Sequence, residues 1–481
     1  MRGLGLLSPE IFLSACALGL LLGDTRALRR PLRRLAGVLP HLAVLACAGA
    51  MGLVCLSASV PEELRGAGGL WAVDPMAVFF KILVLGACIL VLWLSLDYRS
   101  KTPHGHPGSY GALVMLCAVG MMLLVGATDL LLALLAFELV SVSSFILAGF
   151  ESRDPKSSEG AIKYFLIGAF STGVMLYGIS FYYGATGTTS LAAAQAAART
   201  HAPLVLLAAL FWIVGLGFKA SLVPFHFWVP DAYEGAPTPI TTFLSIAPKL
   251  AALAFLVRVF GHMLPHGVLG LGGLFALLAM LTMTFGNLVA MFQDNVKRLL
   301  AYSSIAQAGY ILIGLATGDA LGREGLLLYC LAYLLMNAGA FAVAIAVGNE
   351  DGYELSAYDG LACRSLGLAL LMTLFLLSLA GIPPLAGFVG KFYLFAAAVG
   401  GGFWLLAVVA VLNSVVSVYY YMRIVVHMFF KEPVRPQAPA LGLYLCSSLA
   451  LAAAGVLLLG IYPEPFVAAV KSSAVLLTIA P

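Results

Sequence analysis

Apolar runs long enough to cross a lipid bilayer recur along almost the whole sequence of 481 residues. A transmembrane helix needs about 20 mostly apolar residues. Fourteen stretches are candidates, approximately 6–23, 36–58, 74–96, 110–126, 129–150, 160–183, 203–222, 239–260, 268–292, 299–316, 325–347, 365–398, 402–430 and 440–462. Only 10% of the residues are charged, against about 25% in a soluble domain. The sequence therefore predicts an all-α polytopic membrane protein embedded in the lipid bilayer.

The distribution of Lys and Arg between the loops predicts an orientation. Alternate loops on one side hold 15 cations, and the loops on the other side hold five. The larger group is Arg26, Arg29, Arg30, Arg33, Arg34, Arg99, Lys101, Arg153, Lys156, Lys297, Arg298, Arg364, Arg423, Lys431 and Arg435. The smaller group is Arg2, Arg65, Arg199, Arg323 and Lys471. Cytoplasmic loops are enriched in cations, so we expect both termini to lie outside and the first run to be an uncleaved helix.

Two of the predicted spans are interrupted by prolines. The seventh breaks at Pro224 and Pro230, and the twelfth breaks at Pro383 and Pro384. These spans are five apart, and units of odd length start on opposite sides of the membrane. We therefore expect two inverted five-helix repeats, each with a broken helix, as in secondary transporters. Freed backbone groups at such breaks are tolerated only beside a polar cavity.

The chain is predicted to form a single integral membrane domain over residues 1–481. Within it we expect three N-terminal helices in 1–100, the first repeat in 110–260, the second in 268–430 and a C-terminal helix in 431–481.

Six cations lie inside the predicted spans, where a charge costs about 2.5–3.5 kcal/mol on insertion scales. They are Lys81, Lys163, Lys219, Lys249, Arg258 and Lys391. Lys81 and Arg258 are close to span ends, so we expect both side chains to reach the interface. Glu138 is the one deeply placed acid that the pattern indicates.

Each remaining residue has a functional and a structural interpretation. Lys219 and Lys391 lie beside the broken helices, and Lys249 follows Pro248. These three are either proton carriers or lysines bonded to freed carbonyls. Lys163 is a carrier or reaches the headgroups. Glu138 is a counter-charge or a neutral core acid, and His226 is a relay or a core histidine. Burial favours a neutral lysine and a nearby carboxylate favours a charged one. A Lys–Glu pair of changing separation can therefore switch the proton affinity of the lysine.

The sequence offers no redox site. The eight cysteines stand apart without a CxxC pair, whereas zinc and iron–sulfur sites need clustered thiolates. No Gly-rich dinucleotide turn follows a strand. A net charge of +4 does not indicate nucleic acid as a partner. We expect no metal and no cofactor on this chain.

Three motifs resemble those of a known family. They are GFKASLVPFHFWVPDAYEGAPTPIT (217–241), DNVKRLLAYSSIAQAGYILIG (294–314) and AGIPPLAGFVGKF (380–392). Together they resemble the antiporter-like membrane subunits of respiratory complex I, over nearly the whole chain. A lysine at 391 and a chain that ends soon after its last span look like the subunit N branch. By this resemblance, Glu138, Lys219, Lys249 and Lys391 match the family's proton-translocating residues, and Lys163 and His226 match further polar positions.

The resemblance implies a share in proton pumping coupled to NADH–quinone oxidoreduction. NADH, FMN, iron–sulfur clusters and quinone would then belong to other subunits, and the partners would be the other membrane and peripheral subunits of the complex. The location would be a bacterial plasma membrane. A multisubunit sodium/proton antiporter, a membrane-bound hydrogenase and a structural spacer with vestigial lysines are the alternatives.

Overall fold

The structure is a computed structural model that describes residues 7–25, 37–57, 66–67, 69–101, 106–263, 270–433 and 436–474. Much of the predicted orientation depends on cations outside these ranges, namely Arg2, Arg26, Arg29, Arg30, Arg33, Arg34, Arg65 and Arg435.

Twelve helices within these ranges are long and apolar enough to cross a membrane. They are α2 (Leu39–Ser57), α3 (Pro75–Lys101), α4 (Pro107–Gly126), α5 (Leu130–Ala148), α6 (Pro155–Thr186), α8 (Ala202–Ala220), α10 (Thr238–Met263), α11 (Leu271–Ala290), α12 (Val296–Thr317), α13 (Ala320–Asp351), α17 (Trp404–Phe430) and α18 (Leu443–Ile461). Three shorter apolar helices are α1 (Ser8–Gly23), α15 (Leu366–Ala380) and α16 (Ala386–Gly400). The prediction of an all-helical, multi-pass membrane protein is confirmed.

The remaining elements are short. The helical ones are α7 (Ala194–Thr200), α9 (Val229–Gly235), α14 (Leu361–Arg364), α19 (Glu464–Ser473) and 3-10 turns at Leu191–Ala193 and Leu355–Tyr358. Strands β1 (Gly66–Ala67) and β2 (Trp71–Ala72) pair antiparallel, with Gly66 opposite Ala72.

Several helix starts are fixed by short polar side chains that accept hydrogen bonds from the first free amides. Asp129 caps α5 through the amides of Leu131 and Leu132. Asn295 caps α12, and Asp319 caps α13. These residues stand just before apolar runs, so local sequence is enough to set where the helices begin.

Both predicted breaks are present. Helix α8 ends at Ala220, and an irregular segment leads to α9. Ser221 adopts the left-handed conformation there, with φ of 65°. The span predicted over 365–398 is divided into α15 and α16, with Gly381 left-handed between them at φ of 90°. Each break leaves helix-terminal carbonyls inside the protein that need a donor.

The centre of the protein is built from α10, α12 and α13. The membrane-length window of α10 is entirely buried, and those of α12 and α13 are nearly so. Helices α2, α6, α17 and α18 present apolar side chains outward, including Phe170 and Leu443. Polar side chains in the middle of these three helices are therefore buried inside the protein.

Candidate functional site: a buried series of lysines

Lys219 lies in the last turn of α8, immediately before the first break. Its side chain is 1% exposed. Its Nζ donates to the hydroxyl of Tyr164 at 3.1 Å and to Oγ of Ser144 at 3.5 Å. The rings of Phe137 and Phe145 lie 5.3 and 5.4 Å from the amine. The amine is thus held by hydroxyl groups and aromatic faces, which attract a cation without neutralising it.

Glu138 lies on α5, the helix that also supplies Ser144. Its Oε1 is buried and has no hydrogen-bond partner among the described residues. The ring of its neighbour Phe137 lies 5.3 Å from the amine of Lys219, but no ion pair or hydrogen bond joins Glu138 to Lys219 among the described residues. Glu138 therefore lies on the helix wall beside Lys219 without pairing with it.

Lys249 lies on α10, directly after Pro248. Its side chain is 1% exposed. Its Nζ donates to Oγ of Ser304 at 2.8 Å and to the carbonyl of Ser304 at 3.3 Å. The ring of Tyr233, from α9, lies 5.6 Å away. The sequence suggested that this lysine could bond to carbonyls freed at Pro248, but its partner is a serine of the neighbouring central helix.

Lys391 lies on α16, just after the second break, and is 3% exposed. Its Nζ donates to the carbonyl of Ala380, the last residue of α15, at 2.9 Å. It also donates to Oγ of Ser414 at 3.2 Å, and the ring of Tyr310 lies 4.2 Å away. This lysine satisfies a carbonyl that the helix break leaves free, so its position depends directly on the geometry of the break.

One face of α12 reaches from Lys249 to Lys391. Ser304 binds Lys249, and Tyr310, six residues later, lies under Lys391. Gln307 stands between them and is fully buried. Its Nε2 donates to the carbonyl of Leu379 at 3.1 Å and to the hydroxyl of Tyr421 at 3.2 Å. Residues three and four apart share one face of a helix, so α12 forms a polar stripe between the two lysines.

This stripe continues on both sides of Gln307. The hydroxyl of Tyr329 donates to Oε1 of Gln307, and Ser303 is 2.6 Å from the hydroxyl of Tyr421. Beyond Lys391, Ser414 bonds to Tyr310 at 3.3 Å. Sequence reasoning missed these residues individually, although the spacing of Ser303, Ser304, Gln307 and Tyr310 in the quoted motif already places them on one helix face.

His226 lies inside the first break and is 3% exposed. Its Nδ1 is buried without a hydrogen-bond partner among the described residues. The rings of Phe227 and Phe285 lie 4.6 Å from the imidazole. The structure does not join His226 to a lysine by a hydrogen bond.

Lys163 lies at the edge of the protein rather than among the buried lysines. Its side chain is 42% exposed and pairs with Glu159 at 2.5 Å and Asp231 at 2.7 Å. Arg298 bridges Asp231 and Glu234, each at 2.8 Å. Partial burial raises the pKa of Asp231, but hydrogen bonds from Lys163 and Arg298 outweigh it and hold that pKa below its usual range.

Lys297 sits under this charged group and is 3% exposed. Its Nζ donates to the carbonyls of Glu234 at 2.8 Å and Ala236 at 2.7 Å. It therefore binds the free carbonyls at the C-terminal end of α9, the short helix that follows the first break, and holds that helix in place. The sequence had suggested only a cation in a cytoplasmic loop at this position.

The central part of the chain, which holds these lysines, matches a known protein family. The model of the NADH:quinone oxidoreductase/Mrp antiporter transmembrane family matches residues 127–417, more than half of the chain. The chain belongs to this family. The match includes all six residues that the sequence singled out, from Glu138 to Lys391.

Individual members of the NADH:quinone oxidoreductase/Mrp antiporter family are similar over most of the chain. NADH-quinone oxidoreductase subunit N of Trichlorobacter lovleyi is 46% identical over 81% of this chain and 82% of its own. Subunit N of Moorella thermoacetica is 43% identical over 99% of both. A chain of respiratory complex I from Thermus thermophilus with bound aureothin is 33% identical, with a TM-score of 0.81 over 96% of this chain and 99% of that chain. The recognised resemblance is confirmed.

Two expectations about the remaining intramembrane cations were wrong. Lys81 and Arg258 do not reach an interface: they are 2% and 0% exposed. Lys81 pairs with Glu10 at 2.7 Å, and Arg258 pairs with Asp74 at 2.8 Å. Glu10 and Asp74 lie at helix starts, where sequence alone places an acid near the surface. The packing of α1, α3 and α10 buries them instead.

Among the described residues, no group of three or more His, Cys, Asp or Glu side chains is placed to hold a metal ion. All eight cysteines are free thiols.

Proposed function

We propose that this chain is a proton-translocating membrane subunit of an NADH–quinone oxidoreductase, equivalent to subunit N. The similarity to proteins of that name over most of the chain supports this. Other subunits would carry electrons from NADH to quinone through FMN and iron–sulfur clusters, and would be the partners of this chain. The enzyme activity would belong to the complex, and this chain would move protons.

One observation carries the proposal: three buried lysines are held by neutral oxygen atoms. Lys219, Lys249 and Lys391 are at most 3% exposed. None forms an ion pair with a carboxylate in the part of the chain that the structure describes. A buried lysine that is paired with an acid is held in its charged form, and ionisable groups inside a membrane mark proton pathways by default. An amine that rests on hydroxyls and carbonyls can instead release its proton without leaving a buried carboxylate unpaired.

The relay would begin at Glu138 and Lys219, pass to Lys249 and end at Lys391. Glu138 would modulate Lys219 electrostatically, since it lies nearby without pairing. His226, with its free Nδ1 in the first break, would connect Lys219 and Lys249 through water. Lys163 would serve at the entrance, where it is exposed and surrounded by acids.

The step from Lys249 to Lys391 would follow the polar stripe of α12. Hydroxyl groups such as those of Ser303 and Tyr421 can pass a proton by accepting one and releasing another. The amide of Gln307 cannot do so, and it lies between the two lysines. Gln307 would therefore block direct proton transfer between the two lysines. A proton could pass only when the Gln307 side chain moves and water enters in its place.

The architecture would contain fourteen spans. Twelve helices of the described residues qualify by length and composition; α1 would be a further span, and α15 with α16 would form one broken span. The two breaks would lie in inverted repeats over 110–260 and 268–430. The three N-terminal helices (1–100) and the C-terminal segment (431–481) would flank them. Both termini would face the outside of a bacterial plasma membrane.

The first test is whether the chain migrates with NADH dehydrogenase activity on a native gel of gently solubilised membranes. Migration apart from that activity would favour the antiporter or hydrogenase reading, and sodium-dependent collapse of a proton gradient would then identify an antiporter.

The second test compares Lys219→Met, Lys249→Met and Lys391→Met with the control Lys471→Met, whose side chain is exposed. In inverted vesicles, the first three should lose NADH-driven proton pumping while the complex remains assembled, and the control should pump normally. Normal pumping in all four would refute the relay and support the spacer alternative.

A further inference from the structure

A second group of buried charges lies away from the lysine series. It consists of Glu10 on α1, Asp74 before α3, Lys81 on α3 and Arg258 on α10, each at most 3% exposed. Lys81 is 2.7 Å from Glu10, and Arg258 is 2.8 Å from Asp74. Asp74 and Lys81 are seven residues apart, which places them two turns apart on the same side of α3, so the two pairs form one cluster.

The cluster is distinct from the proposed relay. Residues 250–257, which separate Lys249 from Arg258 on α10, are all apolar. Glu10, Asp74 and Lys81 also precede the segment that the family model matches. The N-terminal helices therefore contribute most of a polar site that the relay does not need.

Five buried polar atoms in the cluster have no hydrogen-bond partner among the described residues. They are Oδ2 of Asp74, Nη1 of Arg258, Nε1 of Trp71 and both carboxylate oxygens of Glu10, of which Oε1 has only its ionic contact with Lys81. Trp71 also places its ring 4.1 Å from the amine of Lys81. Three of these atoms accept hydrogen bonds and two donate them. A bare cation would satisfy only the acceptors and a bare anion only the donors, whereas water both donates and accepts.

The position of the cluster gives it a short route to one membrane surface. Asp74 precedes the first residue of α3, and Nε of Arg258 bonds to the carbonyl of Val125 in the last turn of α4. Leu70, next to Trp71, is 55% exposed. The charged group around Asp231 and Lys297 lies at the opposite end of α10. The cluster thus faces the side that the cation distribution predicts to be external.

We propose that Glu10, Asp74, Lys81 and Arg258 enclose internal water and form a second proton-binding site near the external surface. A hydronium ion in the cluster would transfer its proton to the Glu10 carboxylate, which forms an O–H bond and leaves water. The reverse transfer releases the proton towards the loop of Trp71. Lys81 stays an ammonium group and holds Glu10 in place, and Arg258 and Asp74 anchor the wall of the site.

The test separates this role from a structural ion pair. Glu10→Gln, Lys81→Met and the double variant would be produced in the whole complex, assembly would be scored on native gels, and proton pumping per assembled complex would be measured in inverted vesicles. We expect Glu10→Gln and the double variant to assemble and to lose pumping several-fold, and Glu10→Asp to recover part of it. The matched control is Asp351→Asn, which removes the carboxylate of another buried pair, with Arg364 at 2.6 Å, and should pump normally.

Two outcomes would overturn the proposal. Replacing both members of a buried ion pair by neutral groups is often tolerated, whereas removing one member is not. If the single variants fail to assemble and the double variant restores both assembly and normal pumping, the pair is structural. Normal pumping by assembled Glu10→Gln would also exclude a proton-binding role. Neither result bears on the lysine relay, whose variants are assayed separately.

Discussion

Substitution of Gly387 by alanine should displace Lys391 by distorting the second helix break. A Cβ at this position would lie 1.8 Å from the carbonyl oxygen of Ser378 and 2.9 Å from Sδ of Met336. Ordinary contacts begin near 3.4 Å, so the backbone would have to move by about 1.6 Å. The amide of Gly387 would also lose its 3.1 Å hydrogen bond to Oγ of Ser378.

The size of the effect follows from these contacts. Overpacking costs about 1–3 kcal/mol, and the lost hydrogen bond adds about 0.5–1.5 kcal/mol. A shift of this size would also separate Nζ of Lys391 from the Ala380 carbonyl, now 2.9 Å away. Misplacement of a reacting group by about 1 Å can cost about 100-fold in rate. Gly387→Ala should therefore lower the free energy of unfolding by about 1.5–4.5 kcal/mol and suppress proton pumping.

Gly367→Ala is the matched control in α15, because no atom lies within 4 Å of its added Cβ. Alanine is favoured over glycine inside a helix by about 0.5–1 kcal/mol, so this variant should be unchanged or slightly more stable. Thermal dissociation on native gels and pumping in inverted vesicles would report both effects. If Gly387→Ala proved as stable and as active as Gly367→Ala, the close approach of the two halves of the break would not position Lys391.

Three further changes test other parts of the site. Gln307→Leu leaves the Tyr329 hydroxyl and the Leu379 carbonyl without partners, and each loss destabilises the fold by about 1–3 kcal/mol. Proton pumping measured in inverted vesicles should fall in Gln307→Leu and persist in Gln307→Glu. Lys297→Met leaves two carbonyls at the end of α9 without their hydrogen-bond donor and should reduce the amount of assembled complex on native gels. The control Lys431→Met should assemble normally. Asp231→Asn should reduce thermal stability near neutral pH. That deficit should shrink as acid protonates the wild-type carboxylate below its lowered pKa.

Each of these three predictions would be refuted by one result. Equal pumping by Gln307→Leu and the wild type would show that the stripe of α12 carries no protons. Normal assembly of Lys297→Met would show that the carbonyls of Glu234 and Ala236 find other donors. A stability deficit in Asp231→Asn that persists in acid would show that the carboxylate charge is not responsible.

The sequence by itself determined the helices, the two breaks and the three buried lysines. Hydropathy over about 20 residues, proline and capping residues are local properties, and they suffice to predict where a span begins, ends or is interrupted. Lys219, Lys249 and Lys391 could be singled out because each lies in an apolar run, Lys249 directly after Pro248 and the other two beside a helix broken by prolines. The family could be recognised because its motifs surround these same residues.

Only the tertiary structure decided which groups the cations meet. Lys81 and Arg258 are near span ends in sequence. In the fold, Glu10 of α1 packs against Lys81 and Asp74, just before α3, packs against Arg258, so both cations are buried in ion pairs. Lys219 rests on Tyr164 and Ser144 rather than on Glu138, and Gln307 separates Lys249 from Lys391. These partners come from helices distant in sequence. Their contacts depend on how helix faces pack around α10 and α12, which no local pattern encodes.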